Sequence, residues 1–272
     1  MTDARPAELL ALALDVAREA AALVRARRAE GVTVAATKSS AVDVVTEADR
    51  ASEALIRSRL LAARPEDAFV GEEGGSAVGG SGVRWIVDPI DGTVNFLYGI
   101  PQYSVSIAAE DAGTVVAGVV LDVASGAEYA AALGAGATRD GVPLSVRAPA
   151  PIAERLVLTG FNYEAATRIV QAAAVAALLP QVRDIRRLGS CALDLCHVAE
   201  GSADAYVEEG ISLWDHSAGG LVAREAGATV ELAVGRGGKE AVICAPASGY
   251  AEFRSLVEKC GFLAAEITPF GE

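Results

Sequence analysis

Only two histidines, His197 and His216, occur in a chain of 272 residues, which argues against a histidine-rich zinc site. Cysteine is almost as sparse. Cys191, Cys196, Cys244 and Cys260 form no CxxC pair and read as reduced, partly buried thiols, not a disulfide framework. No apolar run approaches the roughly 20 residues needed to cross a bilayer. The first residues, Met1 to Pro6, lack a basic flank followed by an apolar block, so the expectation is a cytoplasmic protein with no membrane partner. Positive charge is also short: Lys and Arg total 23 against 36 for Asp and Glu, a net charge of −13. That balance disfavours nonspecific nucleic-acid binding, which needs a basic footprint. It would also repel an anionic substrate unless bound divalent cations reversed the field locally. The chain's supply of metal ligands is oxygen.

What is present is globular: 52% hydrophobic and 22% charged residues, with no internal repeat or low-complexity tract. The stretch from Trp85 to Phe96 organises the rest. Trp85-Ile86-Val87 reads as a strand buried on both faces. Asp88 should end it, because Pro89 has no N–H to continue the ladder. Asp91-Gly92 is a turn signal, and Gly92 lets the backbone approach whatever sits there. Two carboxylates thus stand at the carboxyl end of a core strand, just before N–H groups that can open a helix and receive an anion. Carboxylates do not bind phosphate, but carboxylates that hold Mg²⁺ do. A metal-dependent phosphate site follows as the working hypothesis.

Along the chain, residues 7–29 should form a helix whose face carries Leu10, Leu14, Ala17, Ala21 and Val24. A second helix should open at Thr46, where Thr46-Glu47-Ala48-Asp49 has capping-box form, and reach Ala62. The run from Gly71 to Gly82, rich in glycine and serine, reads as a mobile surface loop. An antiparallel meander should follow over Tyr103–Ala109, Thr114–Val123, Glu128–Leu133 and Pro143–Val146, its last turn set by Asp140-Gly141. Arg147 to Pro151 marks the expected boundary between an N-terminal α+β part, residues 1–147, and a C-terminal α/β part, residues 148–272. In the second part, strands at Arg155–Thr159, Val182–Arg187, Ala203–Glu208, Thr229–Ala233 and Ala241–Cys244 alternate with helices. The helices run from about Glu164, from Ser190, from Trp214-Asp215 and from Tyr250 to Cys260.

Taken singly, the acids have bland explanations. Asp88 and Asp91 could punctuate a turn, Glu72 and Glu73 could be solvated loop acids, Asp215 could be an N-cap, and Asp49 could serve only its capping box. Their joint pattern resembles the inositol monophosphatase family of Mg²⁺-dependent, lithium-sensitive phosphatases. The resemblance rests on Trp85-Ile86-Val87-Asp88-Pro89-Ile90-Asp91-Gly92-Thr93-Val94-Asn95-Phe96 and on Trp214-Asp215-His216-Ser217-Ala218-Gly219-Gly220, followed by Glu225-Ala226-Gly227-Ala228. Gly71-Glu72-Glu73 and Lys38-Ser39-Ser40 with Asp43, Thr46 and Asp49 also match.

The resemblance implies a layered α-β-α-β-α sandwich, a fold of α/β (α+β) class, with its site between the two parts, and a homodimer. It implies that Glu72, Asp88 and the Ile90 carbonyl hold one Mg²⁺, that Asp88, Asp91 and Asp215 hold a second, and that Glu72 helps hold a weaker third through water. Asp49 and Thr93 would orient the nucleophilic water, and the N–H groups of Gly92 and Thr93 would hold the phosphate. Glu208 matches a position that accepts a hydroxyl from a sugar alcohol. Cys191 stands where the family has a small Ala against the substrate, a departure that a small apolar thiol can fill. The leading expectation is hydrolysis of a small phosphorylated polyol, myo-inositol 1-phosphate. Histidinol phosphate is the nearest rival, with fructose 1,6-bisphosphate and nucleotide 3′-phosphate behind it. A partner-binding regulatory protein that merely retains the site is the non-enzymatic alternative. His216 reads as a packing residue, and Lys38 as either a charge-balancing cation near Glu72 or an exposed loop lysine.

Overall fold

A computed structural model describes residues 4–32, 34–37 and 44–264. Its first layer is helical. α1 (Ala4–Glu30) packs beside α2 (Glu47–Ala63), with a small hairpin, β1 (Val34–Thr37) and β2 (Val44–Thr46), between them in the chain. The buried stripe of α1 is Leu9, Ala13, Val16, Ala17, Ala20, Ala21 and Val24, while Leu10 and Leu14 are only half-buried at its margin. The expected face was therefore rotated by one residue in the first two turns. Alanines, which let the helix sit close to the sheet, define its centre there, and the larger leucines flank it.

The second layer is an eight-stranded sheet. Its strands are β3 (Ala68–Gly71), β4 (Ser76–Ala77), β5 (Val83–Asp91), β6 (Ser104–Asp111), β7 (Thr114–Asp122), β8 (Glu128–Ala132), β9 (Gly136–Arg139) and β10 (Val142–Pro143), and a short helix, α3 (Thr93–Tyr98), separates β5 from β6. The spatial order is β10-β9-β8-β7-β6-β5-β3-β4, and only the β3/β5 pair is parallel. The meander is thus as expected, except at its end. β10 ends at Pro143; Leu144 N–H still donates to the Ala137 carbonyl of β9, but Val146 N–H donates to the Ala226 carbonyl instead. The glycine-rich run is also more ordered than expected. It contains β4, and Gly80 and Ser81 donate their N–H groups to the Glu66 carbonyl.

The remaining elements are β11 (Leu156–Thr159), α4 (Ala165–Leu178), β12 (Asp184–Arg186), α5 (Cys191–Glu200), β13 (Ala205–Glu209), α6 (Leu213–Glu225), β14 (Ala228–Val234), β15 (Glu240–Pro246) and α7 (Tyr250–Cys260). They build a mixed five-stranded sheet of order β12-β11-β13-β15-β14. Three cores separate the layers. α1 and α2 cover one face of the large sheet, with Trp85, Val87, Ile107 and Val119 beneath them. α5 and α6 are buried between the two sheets, against Ile86, Val120, Tyr206 and Cys244. α4 and α7 close the outer face of the small sheet through Ala174, Leu178, Phe253 and Val257. Alternate residues of β5 feed two different cores, which is why its sequence is apolar without alternation. The result is the expected α-β-α-β-α sandwich.

Candidate active site

β5 carries the centre of the site. The strand does not stop at Asp88 but continues to Asp91, with its register against β6 broken between those residues. Pro89 falls within that irregularity, where no ladder bond is asked of its missing N–H, so a proline is tolerated inside a buried strand. Gly92 then takes a left-handed conformation, φ 93°, and α3 begins at Thr93. The bulge places Asp88, the Ile90 carbonyl, Asp91, Gly92 and Thr93 along one wall of a cleft of about 580 Å³. Glu72, Cys191, Glu208 and Asp215 line the same cleft. Every residue expected to contact metal or substrate is therefore in one place.

Asp88 and Asp91 are 2% and 8% exposed, so their charges are removed from water. Burial pushes the Asp88 carboxyl well above the usual range, and the charges of Glu72, Asp91 and Asp215 push it further. Asp215 is raised for the same reasons, burial first and then Glu72 and Asp91. The bland alternative, that Asp215 is simply an N-cap, does not hold. Ser212 caps α6, and Asp215 is the third helical residue, its Oδ2 accepting the Ser212 N–H at 2.6 Å. Asp91 is pushed up to about 6 by burial, against the opposing effect of two hydrogen bonds to its Oδ2. Those come from Ser190 Oγ at 2.5 Å and the Ala192 N–H at 2.8 Å.

Asp49 serves its capping box and also reaches Thr93. Its Oδ2 accepts the Thr46 N–H and hydroxyl in the capping box, while its Oδ1 accepts the Thr93 hydroxyl at 3.2 Å. Burial raises its carboxyl to about 6, opposed by the bonds from Thr46. The Thr93 hydroxyl also lies 3.0 Å from the Ile90 carbonyl. That carbonyl has a second lone pair and remains able to serve a cation.

On the opposite wall, Glu208 Oε2 accepts the Tyr206 hydroxyl at 2.7 Å. Cys191 is buried, and its thiol is pushed well up by burial and by the charges of Glu208, Asp215 and Asp91. It is a protonated, small apolar surface and not a nucleophile. All four cysteines are free and buried. His216 is buried, its Nε2 lies 3.4 Å from Glu240 Oε1, and burial holds it neutral by lowering its pKa. Lys38 lies outside the described residues.

Sequence reasoning treated Ser190 only as a helix cap and passed over Asn95. Ser190 caps α5 and also binds Asp91. Asn95 Nδ2 donates to the Gln102 and Leu188 carbonyls, both at 2.8 Å, tying α3 to the loop that delivers Ser190. A buried amide next to an apolar Phe96 was the available signal, since a buried amide needs partners.

The donor set fits a hard cation: four carboxylates and a carbonyl, with His216 turned to Glu240 and Cys191 protonated. Among the described residues no three acidic, histidine or cysteine side chains converge on one point, so the acids line the cleft without enclosing a closed cage. A divalent ion would draw the carboxylates together. The burial of the site's acids has a pH signature. Asp49 and Asp91 bind protons up to about pH 6 when folded, against a reference of 3.8. Their stabilising contribution is complete below the reference value and is lost as pH rises through about 6. In EDTA, Tm is expected to fall between about pH 4 and about pH 6.5, and excess Mg²⁺ should restore it at the upper end. A Tm in EDTA that is flat over this range and unmoved by Mg²⁺ would contradict the reading.

Comparison with known proteins agrees with this geometry. The family model described as the inositol monophosphatase family matches residues 5–261. Inositol-1-monophosphatase SuhB of Mycobacterium tuberculosis (strain ATCC 25618 / H37Rv) is 46% identical over 269 residues, covering 92% of this chain and 93% of its own. A solved structure of Mycobacterium tuberculosis SuhB superposes with a TM-score of 0.83 at 42% identity, over 95% of this chain and 99% of that one. A Pasteurella multocida protein named Nus factor SuhB is 37% identical over 225 residues, 82% of this chain and 84% of its own. Among the described residues no helix is long and apolar enough to cross a membrane. The chain belongs to the inositol monophosphatase family and is a phosphoric monoester hydrolase.

Proposed function

We propose that this protein hydrolyses myo-inositol 1-phosphate to inositol and phosphate with Mg²⁺, by two-metal water activation, as a cytoplasmic homodimer. The observation that carries the reading is the gathering of Glu72, Asp88, Asp91 and Asp215 in one cleft, beside Gly92-Thr93 and facing Glu208. Glu72, Asp88 and the Ile90 carbonyl would hold one ion, and Asp88, Asp91 and Asp215 the other. Bound there, Mg²⁺ supplies positive charge that lowers the pKa of water and neutralises the leaving oxygen.

The chain's own groups do the positioning. Thr93 directs its hydroxyl proton to Asp49 or to the Ile90 carbonyl, leaving its oxygen lone pairs to accept a proton of the attacking water. Asp49 is ionised at neutral pH and fixes that polarity. The N–H groups of Gly92 and Thr93, at the start of α3, donate to phosphate oxygens. Glu208, steadied by Tyr206 at one oxygen, accepts a ring hydroxyl at the other, so a substrate without hydroxyls would leave that second oxygen without a partner. Cys191 packs against the ring as an alanine would.

The test is turnover of four substrates in parallel: myo-inositol 1-phosphate, histidinol phosphate, fructose 1,6-bisphosphate and a nucleotide 3′-phosphate. The expected preference is for the first. A kcat/KM for histidinol phosphate about tenfold or more above it would overturn the substrate assignment. The relative named Nus factor SuhB favours a second reading, in which binding to a protein partner is the main role. Activity-dead Asp91→Asn separates the two, because a partner-binding role survives it in the cell.

A further inference from the structure

Resting on the Mg²⁺ reading above, we infer that Glu53, a residue outside the expected ligand set, is the positioning residue that fixes the Glu72 loop for metal. Glu53 lies on α2, one turn beyond Asp49, and is 6% exposed. Its two carboxylate oxygens are spent on the loop that carries Glu72: Oε2 accepts the Glu73 N–H at 2.7 Å and Oε1 accepts the Gly75 N–H at 2.8 Å. The loop closes around it through the Gly71 N–H bond to the Gly75 carbonyl, 2.8 Å. Glu72 itself donates its N–H to the Val87 carbonyl at 3.2 Å, one residue before Asp88. Glu72 is thus held between β5 on one side and Glu53 on the other.

The glycines record how close this wrap is. A Cβ on Gly71 would stand 2.2 Å from Glu53 Oε2, and one on Gly75 would stand 2.5 Å from Oε1. Any larger residue at either position would displace the carboxylate. The same face of α2 carries Ser52, whose hydroxyl donates at 3.2 Å to the Pro89 carbonyl within the β5 irregularity. One helical turn therefore sets Asp49 against Thr93, steadies the bulge between Asp88 and Asp91, and anchors the Glu72 loop. Glu53 does not line the cleft, and its two oxygens face backbone donors of the loop. Its contribution is the reach and direction of Glu72.

Mn²⁺ binding to EDTA-stripped full-length protein, followed by electron paramagnetic resonance, tests this alongside the Mg²⁺ dependence of turnover. Glu53→Gln keeps the shape but turns an amide toward one backbone N–H. It is expected to weaken Mn²⁺ binding and raise half-saturating Mg²⁺ by about 10–100-fold, the range typical of residues that orient metal ligands. Activity at saturating Mg²⁺ should return to within about threefold of the parent, because the chemistry is untouched. A merely structural role would lower Tm without moving metal affinity. Gly75→Ala perturbs the same contact from the loop side and should give the same shift, which keeps the test available if Glu53→Gln folds poorly. Parent-like Mn²⁺ affinity in a folded variant overturns the role of Glu53 alone. A parent protein that binds no Mn²⁺ overturns the metal reading itself.

Discussion

Asp91→Asn is expected to lower kcat/KM by about 10³-fold or more while making the metal-free protein more stable. The two effects share one cause. Asp91 is buried, and burial raises its carboxyl from 3.8 to about 6, with Glu208 adding repulsion. Keeping it charged at neutral pH costs on the order of 2–3 kcal/mol. Asparagine removes that cost. Its oxygen can still accept from Ser190 and Ala192, which donate to Oδ2 in the parent, so the local structure should survive. In EDTA at about pH 7.5, Tm should rise by roughly 5–10 °C. The gain should fade below about pH 6, where the parent carboxyl is already protonated. With Mg²⁺ present the order should reverse, because the parent gains stability from the ion and the variant does not. Thermal melts at the two pH values, with and without Mg²⁺, check all of this. A variant that is both inactive and less stable in EDTA would mean that Asp91 serves the fold.

Gly92→Ala should be the most disruptive single-methyl change in the chain's motif. Gly92 has φ 93°, and an added Cβ would lie 2.9 Å from the Gln102 carbonyl oxygen and 3.1 Å from the Gly189 carbonyl oxygen. Both neighbours are backbone, and Asn95 ties the segments that carry them together. Neither can retreat cheaply. Left-handed strain and the collision together should cost about 2–4 kcal/mol, or roughly 5–15 °C in Tm. Gly126→Ala is the control: its φ is 84° but an added Cβ meets nothing within 4 Å. It should cost only about 1 kcal/mol, the conformational part. Equal losses for the two variants would show that close approach at Gly92 is unimportant. Activity of Gly92→Ala should fall even at temperatures where it is folded, since its N–H and that of Thr93 move together.

The acids of the site were legible because their chemistry is unusual for their surroundings. Asp88 and Asp91 follow an apolar strand, and Asp215 follows Trp214 at a helix start; each alone had a bland explanation, and the motifs they share made them stand out together. Glu72, Asp88, Ile90, Asp91, Gly92, Thr93, Cys191, Glu208 and Asp215 all line the one cleft. The capping box of Asp49 was legible from its neighbours, whereas its pairing with Thr93, 44 residues away in the chain, came only through the family resemblance, since no local pattern links the two. Errors fell where tertiary packing overrides local pattern. Pro89 normally ends a strand, yet a bulge absorbs it. Leu10 and Leu14 are at least as hydrophobic as Leu9 and Ala13, yet the sheet surface buries the second pair, because it selects the side of α1 that fits closely against it. The Gly71–Gly75 segment looked loose because its glycines suggest freedom, when they are there to admit the Glu53 carboxylate.

The most direct measurement is phosphate release from myo-inositol 1-phosphate as Mg²⁺ is titrated into EDTA-stripped protein. Turnover should be absent in EDTA, rise saturably with Mg²⁺, and be lost in Asp91→Asn at every metal concentration. Release that is indifferent to EDTA, or no release at saturating Mg²⁺ from a folded protein, would contradict a Mg²⁺-dependent phosphatase built on Asp88, Asp91, Asp215 and Glu72.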